Sequence, residues 1–273
     1  MTTKSNLHTH SLYCDGKNTV EEMIQAAIAA GLESLGFSGH CHTGFPIDDC
    51  QIIDVDGYFN ELDEMRRKYA GVITIFKGLE LESRVNGMIR PAIDPRCDYT
   101  IGSDHVFWIK EGPHFVDYTP EEWNNGLKAA GSIEKLLECY YEELCSFSEE
   151  VPFDIIGHVD LYTKFNEGGR MFDESLPKYK ALALHYIERL ARTGKIFEVN
   201  TGAVGRGYRR TPYPSAFILK RLLKLKAPVI ITSDSHSADT ICCHFDQTEQ
   251  MLKDIGFTEQ MRLTESGFVS VPL

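Results

Sequence analysis

At 273 residues, 42% hydrophobic and 25% charged, the chain has a globular composition and the length of one α/β barrel or two small domains. Its formal net charge of -12 argues against a nucleic-acid partner, because phosphate backbones are bound by basic faces. No apolar run is long enough to span a bilayer, Met1 to Asn6 lacks the apolar stretch of a signal peptide, and the eight cysteines form no CxxC pair. A cytoplasmic protein without membrane contact or disulfide framework is expected.

The chain opens on a short strand that leads through Leu7 into His8-Thr9-His10. In extended backbone alternate side chains point to one side, so both imidazoles reach one point. Neutral imidazole is a common ligand of zinc, iron and manganese, although a His-x-His pair also arises by chance on surfaces. Thr19 to Glu22 spells a capping box for a helix that runs to Ala30 and stops at Gly31. Ser34 to Gly39 reads as a strand ending at His40, and Tyr58, Leu62, Met65 and Tyr69 are spaced for one helix face. Val72 to Phe76 is a β-branched strand running toward Glu80, and Tyr99 to Ser103 is another, ending at His105.

Thr119-Pro120-Glu121-Glu122 is a second capping box, and a longer helix follows through Ile133, Leu137, Tyr141 and Phe147. Phe153 to Gly157 predicts a strand that delivers His158, and the helix after Pro177 runs to Gly194. Lys195 to Asn200 is again a strand. Pro214-Ser215 opens a helix toward Lys226, and the apolar strand Pro228 to Thr232 leads into Ser233-Asp234-Ser235-His236. A last helix precedes the segment Phe268 to Val271.

About seven strand–helix units alternate without linker or repeat, the pattern of a parallel sheet wrapped by helices. A doubly wound sheet alternates in the same way but gathers its polar residues at one switch point. Here nearly every strand ends in His, Glu or Asp, which suits a barrel whose strand C-termini converge on one rim. The candidates at those ends are His8, His10, Asp15, His40, Glu80, His105, His158, Asp234 and His236. Singly, each has a plainer explanation as a loop cap or a solvated charge. Jointly, that explanation needs a coincidence at nearly every strand. Glu80 adds a carboxylate that can bridge two cations and reduce their repulsion.

His8-Thr9-His10, Gly39-His40, Gly78-Leu79-Glu80, Ser103-Asp104-His105, Gly157-His158 and Ser233-Asp234-Ser235-His236 resemble, in order and spacing, the PHP (polymerase and histidinol phosphatase) metal hydrolases. The resemblance covers almost the whole chain and implies one domain over residues 1–273, a distorted (β/α)7 TIM-like barrel with a trinuclear metal site at the rim. It implies His8, His10, Glu80 and Asp234 around a first ion, Glu80 with His105 and His158 around a second, and Asp15, His40 and His236 around a third. Many relatives have His where Asp15 stands, so oxygen replaces nitrogen there. Two to three divalent ions (Zn, Fe or Mn) are implied as cofactors.

Gly131-Ser132-Ile133-Glu134, Cys139-Tyr140-Tyr141, Lys164-Phe165, Glu198-Val199-Asn200-Thr201, Arg206-Gly207-Tyr208 and Pro212-Tyr213-Pro214-Ser215 resemble the histidinol-phosphate phosphatase branch. That resemblance implies hydrolysis of L-histidinol phosphate to L-histidinol and phosphate by a metal-bridging hydroxide, with a small phosphate monoester as the partner and the oligomeric state left open. Arg206 and Lys164 are the nearest cations for the phosphate, and Arg209 and Arg210 read as solvated loop charges. His42 could protonate the leaving group, touch substrate, or face solvent. Asp104 could orient a ligand, and Glu82, Tyr208 and Trp108 could meet the substrate's imidazole and amine. His114, His185 and His244 fit no strand end. Rival readings are a phosphoesterase for nucleotides or sugar phosphates, an inactive metal-binding regulatory or scaffold protein, and a barrel without metal.

Overall fold

The computed structural model describes residues 3–41, 50–84, 89–110 and 112–273. Strand β1 is Ser5–Asn6 and helix α1 is Val20–Ala29. At the start of α1 Thr19 accepts from Glu22 N while the Glu22 carboxylate accepts from Thr19 N, so the capping box forms in full. Strands β2 (Ser34–Phe37) and β3 (His40–Cys41) precede α2 (Val55–Lys68), which buries Tyr58, Phe59, Leu62 and Met65. Strand β4 is Thr74–Glu82. It starts later than the β-branched run suggests because Val72 and Ile73 both donate their N–H to Tyr69 O in the turn leaving α2.

Strand β5 is Tyr99–Ser103, as its sequence predicts. An antiparallel hairpin of β6 (Val106–Ile109) and β7 (Gly112–Phe115), which the sequence pattern does not predict, comes next. Helices α3 (Pro120–Ala130) and α4 (Ile133–Glu150) lead to β8 (Ile155–Ile156), and α5 (Pro177–Ala191) to β9 (Ile196–Asn200). The short α6 (Gly202–Gly205) and α7 (Ala216–Leu225) connect β9 to β10 (Val229–Thr232). Helix α8 (Phe245–Ile255) and a hairpin of β11 (Glu259–Thr264) and β12 (Gly267–Pro272) end the chain.

Strands β1, β2, β4, β5, β8, β9 and β10 pair in that order, all parallel, and β3 continues the ladder on β4 beyond β2. The ring closes where Thr9 bridges Ser235: His10 N donates to Ser235 O (2.8 Å) and Ser235 N to His8 O (3.2 Å). This closure makes a seven-stranded TIM-like barrel and excludes a doubly wound sheet.

The strand period of two sorts the side chains between barrel interior and helical layer. Outward, Ile75, Leu79, Leu81, Phe197, Val199, Val229 and Ile231 join the main core under the helices. Inward, Phe76, Tyr99, Ile101, Ile155, Ile196 and Ile230 form a second apolar cluster with Leu7 and Leu263. Leu263 comes from β11, where it stands opposite Phe268, so the terminal hairpin closes the barrel at the strands' N-terminal end. Tyr99 crosses the interior, its hydroxyl donating to Leu7 O, and a Cβ on Gly36 or Gly78 would overlap its ring or hydroxyl. Among the described residues no helix is long and apolar enough to cross a membrane, and all eight cysteines are free.

Candidate metal centre

The residues at the C-terminal ends of the strands meet on one rim. His8 and His10 leave β1 fully buried with ring centroids 5.2 Å apart, while Thr9 between them turns the other way to donate to Gly36 O (2.7 Å). Glu80, near the end of β4, lies at the centre. Its Oε2 is 3.1 Å from His8 Nε2, 3.0 Å from His40 Nδ1 and 3.7 Å from His10 Nε2. Its Oε1 is 3.1 Å from His158 Nε2 and 3.7 Å from His105 Nε2, and accepts from Ser103 Oγ at 2.6 Å. Asp234 follows β10 with φ 48°, a left-handed turn that Asp tolerates better than most residues. Its Oδ1 is 3.3 Å from His10 Nε2, 3.7 Å from His8 Nε2 and 3.5 Å from His236 Nδ1. Asp15 lies 3.1 Å from His236 Nε2, 3.6 Å from His10 Nδ1 and 3.7 Å from His40 Nε2.

The nine strand-end candidates therefore form one cluster, from which four ligand groups can be drawn. They are His10-Asp15-His40-His236, His8-His158-Asp234, His8-His10-Glu80 and His40-Glu80-His105. Glu80 belongs to two of them, as a bridging carboxylate would. His158 groups with His8 and Asp234, whereas the family resemblance pairs it with His105.

The donor set fits divalent cations. His8 Nε2, His10 Nε2 and Glu80 Oε2 are buried without a hydrogen-bond partner although both nitrogens lie within 3.7 Å of that oxygen. Buried polar atoms are nearly always satisfied, and lone pairs converging on shared space are what a cation satisfies. Electrostatics agree. Burial alone would raise the Glu80 carboxyl, but His8 and His40 more than offset it and hold it well below the carboxylate range. Burial would likewise depress His8, but Glu198, Glu80 and Asp234 reverse that and hold it well above its ordinary value. His10 is pushed down to about 3 by burial and then by His236 and His40.

A second layer holds the rings. Glu198, in the middle of β9, accepts from His8 Nδ1, and Glu82 accepts from His105 Nδ1 at 2.8 Å. The orienting place that the sequence offered to Asp104 belongs to Glu82; Asp104 instead accepts from Ser83 Oγ at 2.9 Å. Arg206 donates through Nη2 to Asp234 Oδ2 (3.0 Å) and through Nη1 to the Asp234 carbonyl (2.8 Å), and Nη1 is 3.0 Å from His236 Nδ1. Lys164 is tied to Asp117, donating to its carbonyl (2.7 Å) and carboxylate (3.1 Å), with Nζ 5.2 Å from the centre of the Tyr208 ring.

Arg210 is 89% exposed, but Arg209 is not the solvated charge expected of it. It is buried, donates to Thr163 O at 2.7 Å and packs over Tyr213. Trp108 lies beneath the Arg84 guanidinium. His114 stacks on Phe107, His185 lies on α5, and His244 precedes α8, all away from the cluster's ligand groups. His42 lies outside the described residues. Strand-end reasoning passed over Glu198 and Asp117. For Glu198 a signal existed: it shares the inward side of β9 with Ile196 and Asn200.

A model of the PHP domain matches residues 6–202. The chain is 27% identical over 277 residues to a Schizosaccharomyces pombe protein named "Probable histidinol-phosphatase", covering 92% of this chain and 86% of the relative. It is 24% identical over 259 residues to a Bacillus subtilis protein named histidinol-phosphatase, covering 87% of this chain and 95% of the relative. The solved structure of a Lactococcus lactis histidinol phosphate phosphatase, complexed with Zn, L-histidinol and phosphate, has the same fold. It matches with a TM-score of 0.71 at 21% identity, covering 98% of this chain and 99% of that one.

Proposed function

This chain belongs to the PHP domain family, and from that premise we propose that it is a metal-dependent phosphatase that hydrolyses L-histidinol phosphate to L-histidinol and inorganic phosphate, a step of histidine biosynthesis. The observation that carries the reading is the cluster of nine nitrogen and oxygen donors around Glu80. The substrate rests on two relatives named as histidinol-phosphatases that match over most of their lengths. The whole chain, 1–273, acts as one barrel domain, since Asp234 and His236 complete the cluster from beyond the matched family segment.

His8, His10, Glu80 and Asp234 would hold a first divalent cation, Glu80, His105 and His158 a second, and Asp15, His40 and His236 a third. Cations held there supply Lewis acidity, acidifying water and offsetting charge on the phosphoryl oxygens. The mixed nitrogen and oxygen donors suit Zn, Fe and Mn alike. The chain's own part is to bind and orient. Arg206, at the edge of the cluster, holds Asp234 through Nη1 and Nη2, and its remaining N–H groups and positive charge are what it would add toward phosphate oxygens. Lys164 adds a cation once its pairing with Asp117 is relaxed. His42 is the candidate to protonate the departing alkoxide.

The test pairs elemental analysis of protein purified without added metal with phosphate release from histidinol phosphate, nucleotides and sugar phosphates, before and after chelation. Bound metal, activity that chelation removes and metal restores, and preference for histidinol phosphate are expected. Undiminished cleavage by stripped protein would overturn the metal reading, and preference for another ester would overturn the substrate.

A further inference from the structure

Around the barrel, with β3 taking the place of β2 at the rim, every position but one leads to a candidate ligand: β1, β3, β4, β5, β8 and β10 lead to His8 and His10, His40, Glu80, His105, His158, and Asp234 and His236. Strand β9 delivers none of the nine. It carries Glu198 instead, fully buried beneath the cluster. We propose that Glu198 is a positioning residue that fixes His8 as the Nδ1–H tautomer, so that Nε2 is the ring atom offered to the metal. The inference rests on the metal-site reading above and adds to it the residue that sets the geometry of the site.

The argument is one of donors and acceptors. The two oxygens of Glu198 receive four groups: His8 Nδ1 (2.5 Å) and Thr232 Oγ1 (2.7 Å) at Oε1, His158 N (2.7 Å) and Asn200 Nδ2 (3.0 Å) at Oε2. The His158 amide can only donate. Asn200 has its amide nitrogen toward Glu198 because its Oδ1 accepts from Gly202 N at 2.8 Å. A carboxylate satisfies all four because it only accepts. His8 Nδ1 must then carry a proton, which leaves Nε2, 3.1 Å from Glu80 and 3.7 Å from Asp234, as the ring atom whose proton a metal can replace.

Glu198 thereby links three elements of the centre. It holds the His8 ring and the backbone that presents His158, and Asn200 Nδ2 also reaches Asp234 Oδ2 at 3.3 Å. His105 has a counterpart in Glu82. Among the described residues no carboxylate stands at hydrogen-bond distance from His10 Nδ1, which meets Cys14 Sγ at 3.5 Å and lies 3.6 Å from Asp15. Glutamine at position 198 would keep the size but turn an NH2 toward either His158 N–H or the His8 and Thr232 donors. The substitution is isosteric without being conservative.

Two measurements on the full chain test this. In zinc-loaded wild type labelled with 15N-histidine, the His8 ring is expected to show a protonated Nδ1 and a metal-bound Nε2. Binding through Nδ1 would overturn the inference without any variant. In E198Q, zinc release to a chelator is expected to be ~10–100-fold faster than from wild type, the range typical when a group that orients a ligand is lost. A lower melting temperature of metal-free E198Q combined with an unchanged release rate would assign Glu198 a purely structural part and overturn the proposal. Wild type that takes up no zinc would overturn the metal reading itself, whereas wild type that loads while E198Q retains zinc equally well overturns only the role of Glu198.

Discussion

The two ends of the barrel interior are built from the same strands and behave in opposite ways. Toward the N-terminal ends, Phe76, Ile101, Ile155, Ile196 and Ile230 pack against one another and against Leu263 of the terminal hairpin. Further along, on the same inward side, stand Glu80, Ser103, Glu198 and Thr232, with the histidines above them. The lower layer completes itself, since apolar burial contributes roughly 25 cal/mol per Å² and needs no other partner. The upper layer does not: His8 Nε2, His10 Nε2 and Glu80 Oε2 are buried without a hydrogen-bond partner, and each such atom costs about 1–3 kcal/mol. Stability and chemistry are thus separated by height along each strand. The rim holds a donor set that protein alone leaves unsatisfied because the layer beneath is already closed.

Glu80→Ala would break this comparison most severely. It removes the acceptor that faces His8, His10, His40, His105 and His158 together. We expect kcat/KM for histidinol phosphate to fall on the order of 10^3-fold or more, with loss of bound metal measured by elemental analysis. If roughly a tenth of the activity survived, the cluster could not be the centre of the chemistry.

The same separation decides what was legible in the sequence. Polar residues that follow strands stand out because they end apolar runs, which marks most members of the cluster; Asp15, in a turn well past β1, is marked by its closeness in sequence to His8 and His10. Tyr99–Ser103 and the capping box at Thr19 were equally open to reading, being set by local propensity and local hydrogen bonds. Glu198 sits between Phe197 and Val199, where a strand-end search does not look; the motif Glu198-Val199-Asn200-Thr201 names it without a role, and its inward register with Ile196 points it toward the site. Arg209 read as a loop charge because its partners include Thr163 O, which is distant in sequence. The β6–β7 hairpin escaped for a different reason. Gly112-Pro113 looks like a loop, and His114 opposite Phe107 gives little apolar alternation to read.

At the other end of the barrel, Leu263→Ala is expected to lower stability by ~2–5 kcal/mol, the range for truncating a buried leucine, read from denaturant unfolding. Under conditions where the variant remains folded, its kcat/KM should match wild type. Reduced activity in fully folded protein would show that the two layers are coupled, and the separation by height would have to be abandoned.

Arg206 tests the outer edge of the rim and should give the smallest of these effects on activity among the rim residues. Its side chain is 28% exposed, and it holds Asp234 through both carboxylate and carbonyl while also meeting His236. Hydrogen bonds to charged groups contribute about 1.5–3 kcal/mol, so Arg206→Ala should lower kcat/KM roughly tenfold or more. The way the loss divides tells which partner matters. A raised KM with kcat and metal content preserved would mean that the guanidinium acts on the phosphate ester itself. A lowered kcat accompanied by weaker metal retention would mean that its part is to hold Asp234. Arg206→Lys separates the two further, because lysine keeps the charge but loses the planar fork. Unchanged kinetics in both variants would remove Arg206 from the site and leave the metals to bind the phosphate alone.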